Sequence, residues 1–283
     1  MSRSRRSVLV PSVMAFGFAF LYVPILAMIG YSFNNSRLVT VWDSANSPTL
    51  KWYSALWRNQ QVLDAAWLSF RIALLNATGA AILGTLAGLV LARFGRFRGR
   101  TLLTALTTAP LVMPEVITGL SLLLLFVAME QTIGWPAGRG VTTLTIAHIT
   151  FSLSYVAVIV QSRLAGFDVS LEEAAMDLGA RPVTVFLRIT LPLIAPAIVS
   201  GWLLAFTLSW DDLVISQFVA GPGSSTLPMV IFSKVRLGVT PDINALATLM
   251  VLTVAVGVVI ATVLLRRQER RREQDLRLAA GAD

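Results

Sequence analysis

Long apolar runs organise this chain. Six segments, about 8 to 30, 66 to 92, 101 to 129, 141 to 162, 193 to 217 and 243 to 265, each supply the roughly 20 mainly apolar residues that a helix needs to cross a bilayer core. The pattern predicts an all-α integral membrane protein with six transmembrane helices. An even number of crossings puts both termini on one side of the membrane, and the basic residues choose the side. Arg3, Arg5 and Arg6 precede the first span, while Arg93, Arg96, Arg98 and Arg100 lie between the second and third. Arg163, Arg181 and Arg188 belong to the fourth-to-fifth link, and the tail holds Arg266, Arg267, Arg270, Arg271, Arg272 and Arg277. Those sixteen of the 23 cations face Arg37, Lys51, Arg58, Arg139, Lys234 and Arg236 on the other side, with Arg71 inside a span, so both ends are expected to be cytoplasmic.

The first span starts like a secretory signal, but its apolar run is about twice the length of a signal's core and no clear small-x-small cleavage site follows. It reads as a retained anchor. Two larger links face outward. Residues 34 to 65 contain Trp42, Trp52, Tyr53 and Trp57, which suit a segment lying at the interface. Residues 218 to 242 open with Gly221-Pro222-Gly223-Ser224-Ser225 and continue into an apolar stretch, Leu227 to Val235, too short to span. Within the second span Ala80, Gly84, Gly88 and Ala92 form a small-residue stripe that admits another helix closely, as intrachain packing or as a dimer seam. The third span is interrupted by Pro110 and Pro114, and a broken membrane helix is tolerated where protein or a wet cavity covers the freed carbonyls.

Composition agrees: 283 residues are 55% hydrophobic and 13% charged, with a mean hydropathy of +0.73. Cys 0 removes disulfides, cysteine metal sites and thiol nucleophiles, and a single histidine, His148, removes multi-histidine metal sites. Lys51 and Lys234 are the only lysines and neither sits in a phosphate-binding loop, so ATP chemistry belongs to another chain. The excess of Lys and Arg follows the topology and marks lipid-facing segments; it is not a nucleic-acid footprint.

The link at about 165 to 192 holds the strongest motif. Leu171-Glu172-Glu173-Ala174-Ala175-Met176-Asp177-Leu178-Gly179-Ala180-Arg181-Pro182 reads as two short helices with a stop between them. Ser170 and Glu173 are spaced as a capping box, Gly179 suits a left-handed helix end, and Pro182 suits a first turn. Val185, Phe186 and Ile189 would form the apolar face of the second helix. Ala174 and Ala175 leave a flat face apt for a groove in another protein.

Glu-Ala-Ala, three residues, Gly, nine residues, Ile-x-Leu-Pro resembles the cytoplasmic motif of bacterial ATP-binding-cassette importer permeases. Glu173, Ala174, Ala175, Gly179, Ile189, Leu191 and Pro192 meet every fixed position. The stretches Pro110 to Gly119, Ser209-Trp210-Asp211-Asp212-Leu213-Val214-Ile215 and Asn244-Ala245-Leu246-Ala247-Thr248 are similar to the polyamine branch of that family. The resemblance implies a type I ABC importer permease fold in the bacterial inner membrane. It also implies a second, usually non-identical permease, two ATPase subunits that bind ATP and Mg, and a periplasmic polyamine-binding protein. This chain would hold no cofactor and catalyse no reaction. It would form half of a path for polyamines, putrescine favoured and spermidine possible, switched by alternating access through the link at 171 to 192.

Charges inside the membrane need a reason, since each costs about 2.5 to 3.5 kcal/mol even on lenient scales. Asp211 and Asp212 in the fifth span either face the path or pair with Arg71, Lys234 or Arg236. Neighbours on a helix point about 100° apart, so both line one path only if the helix is distorted there. Glu115, after Pro114, is the second carboxylate for a diamine whose ammonium groups sit about 6 Å apart, an arrangement that calls for two separated anions. Trp210 supplies either a cation–π wall or a packing aromatic. Arg71 would repel a polycation and suits a carboxylate's partner or a snorkelling role.

Three rivals remain. An ABC permease for another cationic or small organic solute would share the link motif. A secondary transporter would show inverted repeats, and residues 1 to 140 and 141 to 283 lack convincing self-similarity. An intramembrane serine protease would pair Ser121 with His148, but Gly119-Leu120-Ser121 is a short coincidence and a lone intramembrane histidine more often packs.

Overall fold

The computed structural model describes residues 9–36, 41–238 and 240–256, with positions 259, 263 and 266. Arg3, Arg5, Arg6, Arg37, Arg267, Arg270, Arg271, Arg272 and Arg277, and most of the last expected span beyond Val256, lie outside the described residues. Among the described residues every regular element is helical. Five helical stretches are long and apolar enough to cross a membrane: Leu9–Tyr31, Gln60–Arg93, Glu115–Ile133, Val141–Ala165 and Pro182–Trp210. The described part of the last expected span, Pro241–Val256, is shorter.

In chain order the helices are α1 (Leu9–Tyr31), α2 (Lys51–Leu56), α3 (Gln60–Arg93), α4 (Arg100–Val112), α5 (Glu115–Ile133), α6 (Val141–Ala165), α7 (Ser170–Asp177) and α8 (Pro182–Val185). A π turn, Phe186–Thr190, follows, then α9 (Leu191–Trp210), α10 (Val214–Val219), α11 (Leu227–Leu237) and α12 (Pro241–Val256). The chain divides into two compact units, Gln61–Phe232 and the combination of Met1–Gln60 with Ser233–Asp283.

In the Gln61–Phe232 unit α6 is the central helix. It packs against α4, α5, α9 and α10, and its Leu144, Ala147, Val156 and Val160 are wholly buried. Lipid offers no hydrophobic drive between helices, so close approach and polar bridges must hold them. Both are present. Gly84 and Gly88 of α3 lie against α6: an added Cβ at Gly84 would come 2.7 Å from Val156 Cβ, and one at Gly88 2.8 Å from the Ala157 carbonyl. The small-residue stripe of the second span thus serves packing within the chain. Asn76 of α3 donates to Ser152 Oγ at 3.1 Å and to the Ala205 carbonyl at 2.7 Å, joining α3, α6 and α9.

The third expected span is two helices. Met113 and Pro114 are extended between α4 and α5, whereas Pro110 stays inside α4. The fifth span starts earlier than the apolar run indicates, because helix continues from Pro182 to Trp210 through the π turn. Pro192 has no N–H and its ring crowds the carbonyl four residues back, and the wide turn immediately before it relieves that conflict.

In the other unit, the link after α1 folds onto its end. The Asn34 side chain donates to the Val41 carbonyl at 2.7 Å and accepts from Asp43 N–H at 2.9 Å, while Trp52 Nε1 donates to the Asn34 carbonyl at 2.7 Å. Trp52 and Tyr53 thereby hold the link, with Tyr53 Oη 2.6 Å from Ser32 Oγ. On α1 the large apolar residues, including Phe16 and Phe20, are exposed, as a lipid-facing helix requires.

Candidate substrate path and coupling surface

Two acidic residues in succession interrupt the fifth span. Short carboxylate side chains compete with the backbone for hydrogen bonds, and this disfavours helix interiors. Here α9 ends at Trp210, and Asp212 turns back to cap α10: its carboxylate accepts Ile215 N–H at 3.2 Å, Ser216 N–H at 2.8 Å and Ser216 Oγ at 2.8 Å. His148 of α6 closes the group, with Nε2 3.2 Å from Asp212 Oδ2 and Nδ1 2.6 Å from Ser209 Oγ. The Asp212 side chain is 8% exposed and that of His148 2%. Asp211 goes the other way: it is the C-cap of α9 and its side chain is exposed. The helix is broken at this point, yet the two carboxylates diverge.

The contact of Asp212 is thus with His148, and Lys234 pairs with Asp242 at 2.8 Å. Arg71 is exposed and borders a cavity of about 470 Å³ with Asp64, Trp67 and Ser225. The Ser121–His148 dyad of a protease does not form, since Ser121 is exposed while His148 is enclosed by Ser209, Ser216 and Asp212. Ser209 and Ser216 are themselves buried, which leaves no room for a substrate carbonyl at His148.

Glu115 is exposed in the first turn of α5, directly after the Met113-Pro114 break, where the positive end of the helix favours a carboxylate. One turn further on, Gly119 lies against α10, and a Cβ there would come 2.7 Å from the Phe218 ring. Trp210 ends an aromatic ladder on α9. Trp202 stacks on Phe206 at 5.7 Å, Phe206 on Trp210 at 6.0 Å, and Phe70 of α3 meets Phe206 and Trp210 edge-on at 6.0 and 6.4 Å. The i, i+4, i+8 spacing of the ladder and the single histidine are visible in the sequence; the contact of Phe70 with the ladder and that of His148 with Asp212 are not.

In the link, α7 places Glu173, Ala174 and Gly179 at the surface, with Ala175 half-buried. Leu178, at its C-cap, is 90% exposed. Gly179 has φ +85, and Ala180 N–H bonds back to the Ala175 carbonyl at 3.0 Å, the left-handed stop that its sequence position indicates. The start differs from the expected capping box. Ser170 is already helical, and Asp168 accepts its N–H at 3.0 Å, a bond that holds the exposed Asp168 carboxyl below the usual carboxylate range. Val185 is buried with Phe186 and Ile189 half-buried, as their apolar face requires. Ile189 lies in the π turn, whereas Leu191 and the exposed Pro192 open α9. Sequence reasoning passed over Glu172, whose Oε1 lies 3.3 Å from Arg93 Nη2 and accepts Thr190 Oγ1 at 2.7 Å.

The family model for the binding-protein-dependent transport system inner membrane component matches residues 84–274. The chain belongs to that family. This permease is 57% identical over 267 residues to the putrescine transport system permease protein PotI of Escherichia coli (strain K12), covering 94% of each chain. It is 42% identical over 254 residues to the spermidine/putrescine transport system permease protein PotC of the same strain, covering 90% of this chain and 92% of that one. Among solved structures it is similar to a chain of a bacterial ABC transporter involved in import of the acidic polysaccharide alginate. There the TM-score is 0.69 at 14% identity, over 94% of this chain and 98% of that one. A chain of the MetNI methionine ABC transporter gives 0.58 at 14%, over 71% and 92%. At such identities the likeness speaks to fold alone, and the fold is that of ABC importer permeases. The permease is a transport component of the inner membrane.

Proposed function

We propose that this permease forms half of the translocation path of an ATP-driven polyamine importer, with putrescine the favoured cargo and spermidine accepted. The reading rests on the 57% identity to a putrescine permease over nearly the whole of both chains. The chemistry of the exposed groups supports it. Asp211 and Glu115 are exposed carboxylates at two helix breaks, suited to the two ammonium groups of a diamine, and Trp210 offers a wall beside Asp211. Asp212, turned inward onto His148, shapes the break and acts on cargo only through that shape.

On the same reading Glu173, Ala174, Ala175 and Gly179 dock into one of two ATPase subunits, which bind ATP and Mg. Ile189, Leu191 and Pro192 join that docking element to α9. A second, non-identical permease completes the path, and a periplasmic binding protein delivers the cargo. Binding-protein-stimulated ATP hydrolysis in the assembled complex tests the cargo: putrescine- or spermidine-loaded binding protein is expected to stimulate, and stimulation by a loaded anion or neutral sugar in their place would refute the assignment.

Six crossings with both termini cytoplasmic complete the proposal, and the absence of native cysteine makes this easy to probe. Cysteines at Arg98 and Glu173 are expected to label only from the cytoplasm and those at Ser44 and Ser225 only from outside. Ser44 and Ser225 are both exposed. Labelling of Ser44 from the cytoplasm alone would overturn the topology.

A further inference from the structure

Glu172 stands just before the docking motif and faces inward from it. We infer that Arg93, Glu172 and Thr190 form a clasp that makes coupling helix α7 and the cytoplasmic end of α3 move as one body, so that Arg93 and Glu172 are positioning residues for coupling; the inference rests on the permease reading above. One carboxylate oxygen, Glu172 Oε1, gathers both partners, Arg93 Nη2 at 3.3 Å and Thr190 Oγ1 at 2.7 Å. The side chains are 18% and 14% exposed for Arg93 and Glu172, so the pair is partly buried. Three elements meet there: Arg93 is the last residue of α3, Glu172 is in the first turn of α7, and Thr190 closes the π turn before α9.

The surroundings give the clasp its mechanical weight. Arg93, Glu172 and Thr190 themselves border a cavity of about 350 Å³ together with Leu89, Met176 and Phe186, so close apolar packing does not fill this junction. The Arg93 guanidinium is held from another side by the Phe167 ring, 5.3 Å away, just ahead of α7. The end of α3 is itself braced, because Arg100 donates to the Leu91 carbonyl at 2.9 Å, to that of Phe94 at 2.8 Å and to that of Gly95. A push on α7 therefore reaches α3 through Glu172 and Arg93, and reaches α9 through Glu172 and Thr190. Docking residues touch the ATPase; these residues pass its stroke inward.

Spin labels at Arg96→Cys and Val169→Cys, both exposed and outside the clasp, measure the distance between the end of α3 and the start of α7 in the full complex. With the clasp intact that distance is expected to be the same in nucleotide-free and ATP-bound states, and with Glu172→Ala added it is expected to change with nucleotide. In parallel, Glu172→Ala and Arg93→Gln are expected to lower cargo molecules moved per ATP at least about fivefold, the lower end of ordinary coupling between sites. The double variant Arg93→Glu with Glu172→Arg is expected to restore the ratio. A nucleotide-dependent distance with the clasp intact, or single variants that assemble and keep the wild-type ratio, would overturn the inference. If the single variants fail to assemble, the double variant decides: recovery of assembly and coupling supports the clasp, and recovery of assembly alone refutes it. The distances do not depend on the cargo, so failure of wild-type polyamine uptake would count against the substrate reading and leave the clasp standing.

Discussion

Asp211→Asn is expected to lower polyamine uptake at least about tenfold in a complex that still assembles and hydrolyses ATP, since one charge-assisted contact is worth about 1.5 to 3 kcal/mol. The Asp211 side chain is exposed, so its charge can be removed at constant volume with little disturbance of the fold. Asp212→Asn is expected to do the reverse. Its carboxylate takes two backbone N–H groups, the Ser216 hydroxyl and His148, and an amide group would present donors to donors. The loss of a buried, multiply bonded carboxylate is worth about 3 kcal/mol, read as a lower thermal midpoint of the solubilised complex and a lower yield. Equal losses of uptake at unchanged stability in both variants would show that both carboxylates face the cargo.

Coupling offers the second large effect. Gly179→Val puts a β-branched residue at φ +85, a conformation that costs ordinary residues about 1 to 2 kcal/mol and β-branched ones more. No atom lies within 4 Å of a Cβ there, so the change strains the end of α7 without a clash inside the chain. The docking face Glu173-Ala174-Ala175 would then be presented at the wrong angle. Ala174→Arg acts more directly by placing a long cation on the exposed flat face, and Ala175→Arg adds disturbance beneath because Ala175 is half-buried. All three variants should insert normally and lose nearly all ATP-driven uptake. Full uptake by Gly179→Val and Ala174→Arg together would remove the docking assignment.

Much of this was legible because lipid imposes a simple grammar. Apolar runs of sufficient length must be helices, and Leu9–Tyr31 and Val141–Ala165 lie within three residues of the runs at 8 to 30 and 141 to 162. Glycine at 84 and 88 predicted close packing, and the partner turned out to be α6. Other features depend on facts that lie outside any local window. Pro110 and Pro114 look alike in sequence, yet the first fits inside α4 and the second starts α5, because only at Met113-Pro114 does the backbone turn extended. The Leu-Pro at 191–192 reads as a boundary, whereas the π turn absorbs the proline and keeps the helix running. Asp211 and Asp212 could not be told apart until His148, 64 positions earlier than Asp212, was placed against one of them. The pairing of Glu172 with Arg93 was hidden for the same reason, a long separation in the chain.

The most direct test of the account is ATP-driven uptake of labelled putrescine into proteoliposomes that contain the whole complex and its binding protein, with wild-type and Asp211→Asn permease compared side by side. Saturable, ATP-dependent putrescine uptake by the wild type, strongly reduced by Asp211→Asn while ATP hydrolysis persists, is the result predicted. No ATP-dependent putrescine or spermidine uptake by a wild-type complex that hydrolyses ATP in response to its binding protein would contradict it.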